Sequence, residues 1–190
     1  MNYYQFQGSK TLLVLFHGTG GDEHDLVPLA KQIDPQASIL SLRGEVSENG
    51  MNRFFKRTSF GVFDLENVKE EAKKIHTFLQ EKTKEYERII YIGYSNGANM
   101  IGAMMQLFGN TIPYAILLHP MQVLPDSKPI QSSVCITYGT QDTMITPEQT
   151  KKFIEFLEQQ GAAVTTLSFA HGHQISVQEI DSVKRWYESL

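Results

Sequence analysis

Residues 91–98 read Tyr-Ile-Gly-Tyr-Ser-Asn-Gly-Ala and connect a short run of β-forming residues to an apolar stretch at 98–105 that reads as a buried helix. The pattern Gly93-x-Ser95-x-Gly97 is typical of a tight strand-to-helix turn that lifts a serine hydroxyl clear of a sheet. Such a turn needs small neighbours, and the two glycines supply them. The motif alone also fits an ordinary glycine-rich turn, so the rest of the chain decides between the two interpretations.

Composition favours a globular protein with an ordinary core. The chain has 190 residues, of which 41% are hydrophobic and 20% charged, and this predicts a single domain over residues 1–190. The net charge of -4 argues against a nucleic-acid partner. No apolar run is long enough for membrane insertion, and the first residues lack a signal-peptide pattern. The single cysteine, Cys135, lies in an apolar run and fits a reducing compartment, so a cytoplasmic location is expected.

Strand-like and helix-like patterns alternate along the chain. Strands are expected at 3–6, 11–16, 39–42, 88–92, 114–118, 134–138 and 163–169, and helices at about 26–33, 64–86, 98–105, 147–160 and 176–187. This alternation predicts an α/β fold with one doubly wound, mostly parallel sheet. In such sheets the functional site lies beyond the C-terminal ends of the strands.

Residues 43–62 interrupt the alternation with three glycines and several polar residues, and an aromatic group extends to Phe63. A connection of this length is usually functional or disordered, and its phenylalanines disfavour disorder. Two interpretations stay open, namely a loop on the substrate side and a patch that packs on the core. The basic residues Arg53, Lys56 and Arg57 are expected on a solvated face of this segment.

Three loops that follow predicted strands each carry a reactive side chain, and these are Ser95, Asp142 and His173. An imidazole can accept the serine proton near neutral pH, and a carboxylate on its other nitrogen fixes the tautomer. The chain order Ser, Asp, His is that of an α/β-hydrolase triad. Each residue alone has a simpler explanation, such as a turn aspartate, but the three loops together favour the triad. His171 stays open as an alternative base.

A glycine-rich loop follows the strand at 11–16. Acyl transfer places negative charge on a former carbonyl oxygen, which preorganised backbone N–H groups stabilise. The expected donors are the N–H groups of Asn96 and Thr19. The alternative of a phosphate-binding loop fails, because neither a Gly-Lys-Ser/Thr end nor G-x-G-x-x-G is present. The histidines show no metal-binding pattern, so no metal and no cofactor are expected.

Four segments resemble the phospholipase/carboxylesterase family of small, capless α/β-hydrolases related to acyl-protein thioesterases, and in particular its bacterial carboxylesterase branch. They read LFHGTGGDE (15–23), GYSNGAN (93–99), GTQD (139–142) and GHQI (172–175). The resemblance implies an α/β-hydrolase fold without a large cap domain. It also implies Ser95 as nucleophile, Asp142 as orienting acid and His173 as base, with an oxyanion hole at Thr19 and Asn96. The segment 118–121, Leu-His-Pro-Met, departs from the thioesterase members.

These features predict a serine carboxylesterase that hydrolyses small or short-chain esters through an acyl-enzyme. A thioesterase or lysophospholipase is the enzymatic alternative, and a non-catalytic small-molecule binder is the non-enzymatic one. The expected partner is a small ester, without nucleic acid or membrane insertion, and a homodimer stays open. Pocket candidates near strand ends are Met51, Phe54, Phe55, Met121 and Met144.

Overall fold

The computed structural model describes residues 1–59 and 61–190, so Phe60 lies outside the described residues. The strands are β1 (Tyr3–Phe6), β2 (Thr11–Phe16), β3 (Ser38–Leu42), β4 (Val46–Glu48), β5 (Met51–Arg53), β6 (Arg57–Ser59), β7 (Val62–Phe63), β8 (Arg88–Tyr94), β9 (Tyr114–Leu118), β10 (Ser133–Gly139) and β11 (Ala163–Phe169). The helices are α1 (Val27–Ile33), α2 (Leu65–Lys82), α3 (Asn96–Phe108), α4 (Pro147–Gln159) and α5 (Val177–Glu188). None of the helices formed by the described residues is long and apolar enough to cross a membrane.

In the part of the chain that the structure describes, seven strands form the central sheet in the order β1-β3-β2-β8-β9-β10-β11. Only β1 is antiparallel to its neighbour, and the other pairs run parallel. The predicted mostly parallel sheet and the short strand at residues 3–6 are therefore confirmed. The strand order reverses between β2 and β8. The helices α1 and α5 therefore cover one face of the sheet, and α2, α3 and α4 cover the other.

The strand β2 shows why these apolar runs are continuous. Leu12 and Val14 pack in the core with the helices α2 to α4, whereas Leu13 and Leu15 pack on the other face with α1 and α5. All four side chains are buried, because helices cover both faces of the sheet. Because successive side chains of such a strand point to opposite faces, a strand in this position needs apolar residues on both faces.

The segment 43–63 differs most from its expected form. Its described residues form two small antiparallel strand pairs, β4–β5 and β6–β7, rather than an irregular loop. Phe54 and Phe55 follow β5 and are buried in the core. The core-packing interpretation is therefore correct for these two residues. At the next element, Asp64 caps α2 as expected, but the helix ends at Lys82 rather than near Tyr86.

Candidate active site

The loop between β8 and α3 places Ser95 in a backbone conformation that residues other than glycine rarely adopt. Its φ is 50° and its ψ is -111°. A Cβ on Gly93 would lie 2.6 Å from the backbone nitrogen of Ala98, and a Cβ on Gly97 would overlap the carbonyl oxygen of Phe16. Both glycines are therefore required by close backbone approach. The turn holds the Ser95 side chain at the C-terminal end of the sheet.

Gly97→Ala is expected to reduce the free energy of unfolding by more than about 2 kcal/mol, because the end of β2 has to move away from the new methyl group. The measurement is urea denaturation. Gly50→Ala is the matched control, since Gly50 has a φ of 80° but open space around its Cβ position. That variant should lose only about 1 kcal/mol from backbone strain. Equal losses in the two variants would contradict the steric explanation.

Ser95, His173 and Asp142 form one hydrogen-bonded chain. The Ser95 Oγ lies 2.9 Å from His173 Nε2, and His173 Nδ1 lies 2.6 Å from Asp142 Oδ2. The other carboxylate oxygen of Asp142 accepts the backbone N–H groups of Met144 and Ile145 at 2.9 and 3.0 Å. Burial raises the pKa of Asp142, but hydrogen bonds from His173 and Ile145 outweigh it and leave that pKa lowered. An ionised Asp142 fixes the proton of His173 on Nδ1 and leaves Nε2 free to accept the serine proton.

The other histidine of this loop, His171, has a different environment. His171 Nε2 lies 3.5 Å from Glu179 Oε2, and its Nδ1 lies 3.0 Å from the carbonyl oxygen of Gly172. Its ring stacks on Phe169 with centroids 5.7 Å apart. The structure therefore places His173, rather than His171, against the serine.

The glycine-rich loop after β2 is braced by buried hydrogen bonds. His17 Nδ1 donates to the carbonyl oxygen of Gly18 at 2.6 Å, and its Nε2 accepts the N–H of Gly44 at 3.0 Å. Burial lowers the pKa of His17, which suits a neutral ring in this double role. The N–H of Gly20 donates to the carbonyl oxygen of Asn52 at 2.9 Å. These contacts fix the backbone on both sides of Thr19.

The expected solvated position of Arg53 is wrong. Its side chain is buried, because the guanidinium turns inward and donates to Thr19 Oγ1 at 2.7 Å and to the carbonyl oxygen of Phe55 at 3.2 Å. Glu48 Oε2 lies 3.1 Å from the Arg53 Nε and supplies the countercharge. Arg53 thus connects the β4–β5 hairpin to the glycine-rich loop. The sequence carries no local signal for this contact, because Thr19 and Arg53 lie far apart along the chain.

A cavity of about 440 Å³ opens beside Ser95. Its lining includes Ser95, Asn96 and His173 together with Thr19, Arg53, Arg57, Gly61, Phe63, Asn99, Met121, Thr143, Met144, Ile145, Thr146 and Gln149. Of the five predicted pocket residues, Met121 and Met144 line this cavity. The other three pocket candidates do not line the cavity: Phe54 and Phe55 are buried in the core, and Met51 packs near Gly20.

The chain is similar to known hydrolases over nearly its whole length. The model of the dienelactone hydrolase family matches residues 43–185. A Bacillus subtilis (strain 168) protein named "Putative hydrolase MhqD" is 37% identical, with 97% of this chain and 96% of that protein covered. The solved Bacillus cereus carboxylesterase is 39% identical with a TM-score of 0.94, and the match covers 100% of this chain and 94% of the carboxylesterase chain. A carboxylesterase from Mesorhizobium loti is 29% identical with a TM-score of 0.90, over 96% and 90% of the two chains. The expected resemblance to bacterial carboxylesterases is thereby confirmed.

Proposed function

The chain belongs to the dienelactone hydrolase family and is an ester hydrolase, and we propose that it is a serine carboxylesterase acting on short-chain esters. One observation carries the proposal. The hydrogen-bonded chain of Ser95, His173 and Asp142 ends at the wall of a cavity that is large enough for a small organic ester. This arrangement has the parts that acyl transfer needs, namely a nucleophile, a base and a group that orients the base.

In the proposed acylation step, Ser95 Oγ attacks the ester carbonyl carbon while His173 Nε2 takes the hydroxyl proton. The carbonyl π electrons move to oxygen, and an ionised Asp142 stabilises the imidazolium that forms. When the tetrahedral intermediate collapses, the bond to the alcohol oxygen breaks. His173 then returns its proton to the leaving alcohol, so the acyl-enzyme forms with the base neutral again.

The proposed deacylation step repeats this cycle with water. His173 Nε2 accepts a proton from water as the water oxygen attacks the acyl carbon. The bond to Ser95 Oγ then breaks, and the imidazolium protonates the serine oxygen as the carboxylic acid leaves. No cofactor takes part in this sequence of steps.

Negative charge develops on the carbonyl oxygen in both steps. Thr19 and Asn96 both line the cavity together with Ser95, and we assign their backbone N–H groups as the oxyanion hole. Asn96 is the first residue of α3, where backbone N–H groups have no partner within the helix. Its side-chain Oδ1 accepts the N–H of Phe54 at 2.8 Å, which fixes this end of the helix.

Acyl chain length gives the test of this substrate class. We expect kcat/KM to be at least about tenfold higher for p-nitrophenyl butyrate than for p-nitrophenyl dodecanoate, since a long chain does not fit within about 440 Å³ alongside the leaving group. Acyl-CoA and lysophospholipid assays run beside this panel. Faster turnover of either of those two substrates than of butyrate would overturn the carboxylesterase assignment.

A further inference from the structure

The Asp142 carboxylate is shared by two histidines. Its Oδ2 lies 2.6 Å from His173 Nδ1 and 3.1 Å from His119 Nδ1. On the far side of His119, the Nε2 atom faces Glu179, at 3.4 Å from Oε1 and 3.5 Å from Oε2. His119 and Glu179 have no solvent exposure. The hydrogen-bonded chain that begins at Ser95 therefore continues past Asp142 into the interior.

We call His119 and Glu179 the inner pair, and the protonation of this pair follows from its contacts. His119 Nδ1 needs a proton to donate to the ionised Asp142. If the ring were neutral, Nε2 would then turn a lone pair toward the Glu179 carboxylate, and this is repulsive. A second proton is therefore needed between His119 and Glu179. When that proton is bound to Nε2, His119 is an imidazolium between two carboxylates. Burial lowers the pKa of His119, but Glu179 and Asp142 outweigh it and leave that pKa raised.

The backbone at His119 is also unusual. Its φ is 52°, in the left-handed region that few residues other than glycine adopt. Contacts around it hold this conformation. The His119 N–H donates to the carbonyl oxygen of Thr137 at 3.0 Å, and the next carbonyl, that of Pro120, accepts the Thr150 hydroxyl at 2.8 Å. Strained residues that the surroundings hold so firmly are typical of functional sites.

We propose that His119 is a positioning residue: as an imidazolium held between Asp142 and Glu179, it fixes the carboxylate that orients His173. The inference rests on the proposed serine esterase mechanism. His119 touches neither substrate nor Ser95 in this role, and acts through Asp142. It gives Oδ2 a second donor and balances the charge of Glu179, so that Asp142 keeps its full charge and its direction toward His173.

Two double variants separate positioning from packing. His119→Asn with Glu179→Gln keeps an N–H donor in the place of Nδ1, and asparagine tolerates a positive φ. His119→Leu with Glu179→Gln removes that donor. Neither variant leaves an unpaired buried charge, and the glutamine side chain can still cap α5 as the glutamate does. Esterase kinetics and thermal melts are measured on both variants and on the wild type.

The asparagine variant should keep kcat within about threefold of the wild type, whereas the leucine variant should lose about 10- to 30-fold, as partners that orient a catalytic group typically do. KM should stay within about twofold in both, because His119 lies outside the cavity lining. Equal kcat values in the two variants, or a kcat loss that follows the loss in melting temperature, would overturn the proposal.

A readout without substrate keeps this test independent of the esterase proposal. The proton between His173 Nδ1 and Asp142 should give a downfield ¹H NMR signal in the wild type and the asparagine variant, and a shifted or absent signal in the leucine variant. An unchanged signal in the leucine variant would overturn the positioning role. Failure of the wild type to turn over any ester, with these signals as expected, would instead contradict only the proposed function.

A metal ion bound by His119 and Glu179 is the alternative to the proposed imidazolium. His119, His171 and Glu179 have metal-binding atoms within 4.8 Å of one another. Elemental analysis of the purified protein decides between the two. We expect less than about 0.1 equivalent of zinc or other transition metal, because the proposed imidazolium has no free lone pair for a metal, whereas an occupied structural site would hold about one equivalent. One equivalent that is lost in the His119→Asn and Glu179→Gln double variant would overturn the imidazolium.

Discussion

Ser95→Ala is expected to lower kcat/KM for p-nitrophenyl butyrate by at least about 10⁴-fold, because loss of the nucleophile in a serine hydrolase removes the covalent route altogether. Any residual rate would come from the proposed oxyanion donors and the binding site alone. Assays with a large excess of enzyme, at a pH where the ester is stable, measure this loss. The same variant should lose all labelling by a fluorophosphonate, which reacts only with an activated serine.

The fold should survive this change. The Ser95 side chain makes its hydrogen bond to His173, whereas its backbone N–H donates to the carbonyl oxygen of Leu118 at 2.9 Å and persists in alanine. We therefore expect a melting temperature within about 3 °C of the wild type. Ser127→Ala, on the loop after β9, is the matched control and should keep full activity. Retained turnover or labelling in the Ser95 variant would contradict the proposed mechanism.

The central sheet and the three reactive loops are predictable because their signals are local. Each strand covered by helices needs a continuous apolar run, as in β2, and each site loop follows such a run directly. Ser95, Asp142 and His173 can be found in this way, since parallel strands carry the loops at their C-terminal ends to one edge of the sheet. Their meeting is a consequence of the topology.

The segment 43–63 was not predictable in the same way, because pairing between separate segments decides its structure. Phe54 packs against Phe16 with ring centroids 5.0 Å apart, and Arg53 bonds to Thr19. Neither contact leaves a periodic pattern in the sequence. A basic residue beside two phenylalanines reads as a surface residue until Glu48 and Thr19 are placed next to it.

The inner pair behind Asp142 has a weak sequence signal. The departure at residues 118–121 marks His119, but a histidine before a proline says nothing about its partner. Glu179 has an ordinary explanation as the third residue of α5 in a capping box with Ser176. Only the packing of α5 against the central sheet gives Glu179 its second contact. A side chain with a sufficient local role can therefore conceal a distant one.

The choice between the two neighbouring histidines gives the second large effect. His173→Ala should lower kcat/KM by at least about 10³-fold, because it removes the base that contacts both Ser95 and Asp142. His171→Ala is the matched control in the same loop. Its ring nitrogens face Gly172 and Glu179, so its loss of activity should stay within about tenfold.

The relative effect of the two substitutions is more informative than either alone. Both remove an imidazole of similar burial from one loop, so a general loosening of that loop would reduce activity similarly in the two variants. A base acts only through its own contacts, and the Nε2 atom 2.9 Å from Ser95 Oγ belongs to His173. Fluorophosphonate labelling rates should therefore fall steeply for the His173 variant and little for the His171 variant. The reverse order would assign the base to His171 and require the loop to rearrange when substrate binds.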